Sequence, residues 1–109
     1  MRQISSSGEV DSAVSGGTAI LYKHSFTCPI SAAAHKEMES FLGRNPDAPF
    51  FMVDVNGSAD VSGYVVEKFG IDHQSPQVIV FRDGEPAWHA NHYDITADDL
   101  ERQLGSARG

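Results

Sequence analysis

The 109-residue chain is poor in several features that define other classes of protein. It has one cysteine, Cys28, so it cannot form an internal disulfide. It has no apolar run long enough to span a membrane, and its first residues lack the basic and apolar segments of a secretion signal. Together these absences favour a cytoplasmic protein whose thiol stays reduced.

Basic residues are also scarce. Eight Lys and Arg face fifteen Asp and Glu, and the formal net charge is -7. A polyanion would be repelled, because no basic cluster offsets this charge, so a nucleic-acid partner is excluded. The chain has no internal repeat and no linker long enough to divide it. The sequence therefore predicts a single domain over residues 1–109, with residues 1–6 loose.

The apolar pattern alternates between helix and strand periods. It predicts a capped helix near 7–15, a strand at 18–23, a helix from Pro29 to Gly43, a strand at 50–55, a helix ended by Gly70, strands at 77–82 and 85–92 joined by Asp83-Gly84, and a last helix capped by Thr96. Strands that alternate with helices pair in parallel, and the final hairpin adds an antiparallel edge. The expected fold is three-layer α/β, with a mixed sheet of about four strands and helices on both faces.

Two motifs make this pattern more specific. Cys28 lies in Thr27-Cys28-Pro29-Ile30-Ser31, where the first core strand gives way to a helix, and Ser75-Pro76 precedes the strand that opens the hairpin. With Lys23-His24-Ser25 and His73-Gln74-Ser75-Pro76-Gln77, the chain resembles a thioredoxin-like domain from about Val10 to Leu104. More narrowly, it resembles the monothiol bacilliredoxin family, the YtxJ-like proteins of the bacillithiol system.

The resemblance implies that Pro76 is cis and lies against the Cys28 loop. It also implies an activity, the removal of a low-molecular-weight thiol such as bacillithiol from S-thiolated client proteins. That thiol is then a co-substrate, and no resident cofactor is expected. An iron–sulfur cluster shared between two monomers is conceivable by analogy with monothiol glutaredoxins, but the sequence offers no direct support for it.

The position of Cys28 suits thiol chemistry. A thiolate is the nucleophile in disulfide exchange, and a helix N-terminus favours the anion and lowers the cysteine pKa. Ser31 occupies the place of the second cysteine in a C-x-x-C motif, where its hydroxyl can donate a hydrogen bond to the thiolate but cannot form a disulfide. Cys28 must therefore keep the small thiol until an external thiol removes it.

The neighbours of Cys28 divide into two sets of candidates. Ser31, Thr27 and His24 are predicted to support the thiolate, and the substrate groove is predicted to contain Phe26, Pro29, Ser75 and Pro76. His24 either tunes the thiol or ends the strand, and Phe26 either contacts substrate or packs the loop. His73 is a further candidate for the groove.

No metal site is expected. On a strand, the spacing of His89 and His92 places them on opposite faces, and Cys28 with His24 gives at most two ligands.

Two other functions stay open at this stage. The fold can serve as a binding module in which Cys28 is an inert buried residue, or Cys28 can act as a redox sensor that forms an intermolecular disulfide. Neither alternative requires turnover of a substrate. The chain is expected to be a monomer or a weak dimer.

Overall fold

A computed structural model describes residues 2–25 and 29–108. In chain order the elements are β1 (Arg2–Gln3), α1 (Ser7–Val14), β2 (Thr18–His24), α2 (Pro29–Arg44), β3 (Phe50–Asp54), α3 (Ala59–Phe69), β4 (Gln77–Arg82), β5 (Glu85–Asn91), a 3₁₀ turn (His92–Asp94) and α4 (Ala97–Arg108). The strands form one sheet in the order β1-β3-β2-β4-β5. The α/β class and mixed sheet predicted from the sequence are confirmed.

The sheet combines parallel and antiparallel pairs. β3 pairs in parallel with both β1 and β2, while β4 is antiparallel to β2 and β5. Asp83 and Gly84 form the predicted two-residue turn, with φ of 54° and 84°. Positive φ at both central residues matches the right-handed twist of the flanking strands. This hairpin makes β5 an edge strand, as its polar sequence indicated.

The expectation of a loose N-terminus over residues 1–6 is wrong for the described part of that segment. Arg2 and Gln3 pair with β3 and add a fifth strand to the sheet. Ile4 is 1% exposed, and its N–H donates to the carbonyl of Met52 at 2.9 Å. Burying one large apolar side chain is worth about 1.5–3 kcal/mol, which helps to hold a segment whose strand is too short for a sequence pattern to reveal.

Two clusters of apolar side chains cover the two faces of the sheet. The first contains Ile20 and Tyr22 of β2 packed with residues of α2 and α4, and we call this side the α2 face. The second contains Leu21 of β2 packed with residues of α1 and α3, and we call this side the α3 face. Because side chains alternate along a strand, successive residues near the end of β2 lie on opposite faces.

The predicted helix boundaries hold with small shifts. Glu9 N–H donates to the Ser6 hydroxyl at the start of α1, and Asp99 N–H donates to the Thr96 hydroxyl at the start of α4. Gly70 ends α3 with a φ of 70°, whereas α2 continues one residue beyond Gly43, which the sequence predicted as its stop. Among the described helices, none combines the length and apolar character that a membrane span requires.

Candidate functional site

The predicted site lies at the end of β2 from which the chain continues toward α2. β2 ends at His24, and α2 begins at Pro29. Three predicted site residues, Phe26, Thr27 and Cys28, lie outside the described residues, so the distances from Cys28 to its neighbours remain predictions.

Ser31 lies in the first turn of α2 and is completely buried. Its Oγ has no hydrogen-bond partner among the described residues. Buried hydroxyls are nearly always paired, so an unpaired one calls for an explanation. A hydroxyl held at the start of the helix that follows Cys28 has a donor to offer an anion there. Pro29 is exposed on the same turn, which suits its predicted place in a groove.

Pro76 has the cis peptide bond that the resemblance implied, and the proline is buried. Its carbonyl accepts a hydrogen bond from His92 N–H at 2.9 Å. The next residue, Gln77, pairs with Lys23 in the antiparallel register of β4 and β2. Pro76 therefore lies beside the end of β2. Ser75 precedes it, with a buried Oγ that has no partner among the described residues.

His24 is 5% exposed and lies on the α2 face. Tyr22 Oη is 2.8 Å from His24 Nδ1. No other partner of Tyr22 Oη occurs among the described residues, so its buried proton is satisfied only if the hydroxyl donates to Nδ1. That arrangement leaves the imidazole proton of a neutral His24 on Nε2. His24 then offers an N–H donor from the last position of β2.

The surroundings of His24 lower its pKa. Burial is the main cause that lowers its pKa, the charge of His35 lowers it further, and Asp54 opposes both. The rings of His24 and His35 are 4.6 Å apart between centroids. A buried group resists charging because the interior solvates a charge poorly. The lowered pKa of His24 therefore favours the neutral imidazole over the cation.

Sequence reasoning overlooked Tyr22 and His35. His35 Nε2 lies 3.3 Å from Glu39 Oε1, and its Nδ1 is buried without a partner among the described residues. His35 is four residues after Ser31, a spacing that places both on one face of α2. That spacing was available in the sequence, but the contact with His24 was not, because it joins a helix to a strand.

The α3 face carries a buried lysine beside the same strand end. Lys23 is completely buried, and its Nζ lies 3.4 Å from His73 Nδ1. Burial lowers the pKa of Lys23 to about 8. His73 is exposed and lines a cavity of about 270 Å³ together with Val55, Ala59, Ser62 and Gly63. The structure thus places His73 at this end of the sheet, near the predicted groove.

A short link ties the end of β2 to the end of β3. Asn56 Nδ2 donates to Ser25 Oγ at 3.1 Å, and Val55 N–H donates to the carbonyl of His24 at 3.0 Å. Both bonds fix the point at which the chain leaves the sheet toward Cys28.

The interpretation of His92 as a strand residue is wrong. It begins the 3₁₀ turn after β5, with a φ of 53°. Its N–H still donates to the Pro76 carbonyl in register with the β4–β5 ladder, but the proline has no N–H to return a bond, and the ladder ends there. The argument from opposite strand faces therefore does not apply to it. In residues 2–25 and 29–108, no group of three or more His, Cys, Asp or Glu side chains is arranged to hold a metal ion.

Comparison with known proteins agrees with this geometry. A model of the family described as monothiol bacilliredoxin BrxC matches residues 2–100. A solved structure described as a putative oxidoreductase with a thioredoxin fold is 31% identical, with a TM-score of 0.87 over 94% of this chain and 92% of that chain. Thioredoxin from Fasciola hepatica is 14% identical, with a TM-score of 0.76 over 98% of this chain and 99% of that chain.

Proposed function

The chain belongs to the monothiol bacilliredoxin family of thioredoxin-fold, thiol–disulfide redox proteins, and we propose that it removes a low-molecular-weight thiol from protein mixed disulfides through Cys28. The observation that carries this proposal is Ser31. Its buried hydroxyl, unpaired within the described residues, stands at the third position after a cysteine that has no second thiol to resolve it. A cysteine followed by a serine at this spacing suits a monothiol exchange site better than a dithiol reductase.

The exchange proceeds in two balanced steps. The Cys28 thiolate attacks the small-thiol sulfur of the mixed disulfide, forms a new S–S bond, and expels the client cysteine as a thiolate that takes up a proton. A second small thiol then loses its proton, attacks the small-thiol sulfur on Cys28, and releases Cys28 as the thiolate. The second step yields the oxidised small thiol as a disulfide. The net reaction converts the mixed disulfide and one small thiol into the client thiol and the small-thiol disulfide, so no further oxidant or reductant is needed.

The described residues supply the conditions for the first step. The start of α2 presents unpaired backbone N–H groups and the positive end of the helix dipole, which stabilise an anion. Ser31 Oγ adds a buried side-chain donor in the first turn of this helix, and His24 is the last residue of the strand that leads to Cys28. Each hydrogen bond to a charged group contributes about 1.5–3 kcal/mol. Together they favour the thiolate over the thiol at neutral pH.

We take the small thiol to be bacillithiol-like and the clients to be S-thiolated proteins of the reducing cytoplasm. The family supports the thiol, since its members are bacilliredoxins. The small thiol is a co-substrate, so the protein requires no resident cofactor for this reaction.

The test is de-thiolation of a model protein whose cysteine carries bacillithiol, followed by intact-mass spectrometry. The wild-type protein is expected to release the client thiol and gain one bacillithiol on Cys28, whereas Cys28→Ser is expected to do neither. Parallel reactions with glutathione and coenzyme A adducts identify the preferred thiol. Retention of client release by a folded Cys28→Ser variant would overturn the proposal, and retained partner capture without release would favour a binding module.

A further inference from the structure

Lys23 and His73 form a hydrogen-bonded pair that has no role in the two exchange steps described above. The Lys23 ammonium is completely buried, and its hydrogen bond within the described residues is to His73 Nδ1 at 3.4 Å. Lysine is rarely buried without a carboxylate partner. None of the described carboxylates contributes to the pKa of Lys23, which burial alone lowers. This buried cation has a histidine where a counter-ion is expected.

Charged groups on the neighbouring elements are turned elsewhere. Asp54 of β3 acts on His24 on the α2 face, and Gln77, beside Lys23 on β4, is neutral. Asp60 of α3 and Asp72 of the loop before β4 are exposed. The pKa of His73 is lowered by its own partial burial and then by the charge of Lys23. The pair therefore consists of a protonated lysine and a neutral imidazole.

The hydrogen bond determines which nitrogen of His73 carries the proton. The Lys23 ammonium has only donors, so His73 Nδ1 must accept and the proton of the neutral ring lies on Nε2. Nε2 is the ring nitrogen that Lys23 does not contact, and the His73 residue is exposed. The Nε2–H is thus a donor on an exposed residue, connected through one ring to the buried Lys23 ammonium.

His73 also lies where a client segment can reach it. With Val55 after β3 and Ala59, Ser62 and Gly63 of α3 it lines the cavity of about 270 Å³. The mainly apolar lining suits the flank of a protein segment better than a charged small thiol. The chain continues from this end of β2 to Cys28, four residues after His24.

We propose that His73, backed by Lys23, is the proton donor to the client thiolate that leaves when Cys28 attacks the mixed disulfide. His73 Nε2 gives its proton to the leaving sulfur, while Nδ1 takes a proton from Lys23, which becomes a neutral amine. In the second half of the exchange the incoming small thiol gives its proton to Nε2, and Nδ1 returns one to Lys23. His73 is then a catalytic residue and Lys23 a positioning residue, and both rest on the proposed function.

The pair suits this role because it can be restored within each cycle. One proton is consumed at the first leaving group and one is released by the second thiol, so a group that stores a single proton balances both steps. Neutral Lys23 is favoured by burial, and a cysteine thiol has an ordinary pKa of about 8.5. A lysine whose pKa is about 8 is therefore well matched to exchange a proton with a thiol in either direction.

The test compares two leaving groups in single-turnover reactions at pH 7. One substrate is bacillithiol disulfide-bonded to a client peptide cysteine, and the other is bacillithiol bonded to an aryl thiol of low pKa. An aryl thiolate leaves without a proton, so only the peptide reaction needs a donor. His73→Gln and Lys23→Met are each expected to slow the peptide reaction about tenfold or more and the aryl reaction less than twofold.

Matched variants separate charge, proton and structure. Lys23→Arg keeps the charge but has no transferable proton, so it is expected to be as slow as Lys23→Met on the peptide. His89→Gln and Lys36→Met, at exposed positions on β5 and α2, are expected to match the wild type. Above pH 8, the rate of the wild type on the peptide substrate is expected to fall. This fall is expected to be larger than any fall in the rate of Lys23→Met.

Three outcomes would overturn the relay. Full activity of His73→Gln on the peptide would remove His73 from the reaction, and equal slowing on both substrates with an unchanged Cys28 pKa would assign the pair a structural role. A raised Cys28 pKa in Lys23→Met, measured by alkylation, with equal slowing on both substrates would make Lys23 a counter-charge of the thiolate instead. In each case Cys28→Ser reports separately on the exchange itself, so the relay can fail while the proposed function stands.

Discussion

The hydroxyl of Tyr22 and Nδ1 of His24 form a hydrogen bond of 2.8 Å, with both residues buried on one face of the sheet. Burial raises the pKa of Tyr22, with the charge of Glu39 as a second cause, so the phenol keeps its proton. With the phenol as the donor, a neutral His24 carries its proton on Nε2, and the bond is made between two positions of the same strand. The orientation of a candidate thiolate-supporting residue is therefore built into β2.

We expect Tyr22→Phe to lower the free energy of unfolding by about 1–3 kcal/mol, because it leaves His24 Nδ1 buried without a donor. Urea denaturation at pH 7 measures the change. Tyr64→Phe is the matched control, since the Tyr64 hydroxyl donates at 2.6 Å to the half-exposed Asp11, where water can replace the lost bond. A smaller loss in Tyr22→Phe than in Tyr64→Phe would contradict this assignment.

The lowered pKa of His24 predicts that the protein is less stable in acid. Its pKa is lowered in the folded protein, first by burial and then by His35, so the unfolded chain binds a proton at a higher pH than the folded chain does. The free energy of unfolding therefore falls as the pH decreases from about 6.5 toward the folded pKa. His24→Asn is expected to have a flatter dependence between pH 7 and 5.

The control for acid stability is His89→Asn, because His89 is exposed on β5. Its unfolding free energy is expected to follow the wild-type pH dependence. Parallel curves for wild type and His24→Asn would show that His24 is not the group responsible.

The lowered pKa of Lys23 predicts that the protein becomes more stable at alkaline pH. Its pKa falls from 10.5 to about 8 on folding, so between these values the unfolded chain binds more protons and stability rises with pH. The gain is about 2–3 kcal/mol between pH 7.5 and 10. Urea denaturation should show this rise in the wild type and its absence in Lys23→Met.

Lys23→Met is also expected to be at least as stable as the wild type at pH 7. Replacing a buried charge by an apolar side chain of similar length removes the cost of desolvation. Lys36→Met, at an exposed site on α2, should change neither the stability at pH 7 nor its pH dependence. Destabilisation of Lys23→Met by several kcal/mol would point to a counter-ion that the described residues do not show.

Ser31 predicts a change in the reactivity of Cys28. Ser31→Ala is expected to raise the thiol pKa by about one unit, because a hydroxyl that bonds the thiolate stabilises the anion. The pH dependence of alkylation by iodoacetamide measures this pKa. Stability is expected to stay within about 1 kcal/mol of the wild type, since the hydroxyl has no partner to lose among the described residues.

Ser62→Ala is the matched control for Ser31→Ala. Ser62 is a second buried serine whose Oγ is unpaired within the described residues, but it lies on α3. Its removal is expected to leave the thiol pKa unchanged. An unchanged pKa in Ser31→Ala as well would show that Ser31 does not contact the thiolate.

Local chemistry in the sequence was enough to determine most of the elements. Capping residues such as Ser6 and Thr96, the Asp83-Gly84 turn and the apolar runs of β2 and β3 each act within a few residues. Such signals can be recognised without knowledge of the rest of the fold. The single cysteine, with Ser31 at the place of a second one, also excludes a resolving thiol within the chain, whatever the geometry.

The tertiary structure decided which residues surround the site, because those contacts join segments far apart in the chain. The strand formed by Arg2 and Gln3 exists only because β3 offers an open edge. His35 reaches His24 through the packing of α2 on β2, and His73 reaches Lys23 across fifty positions. Burial, which alone shifts the pKa of Lys23, is a property of the assembled core and cannot be read from neighbouring residues.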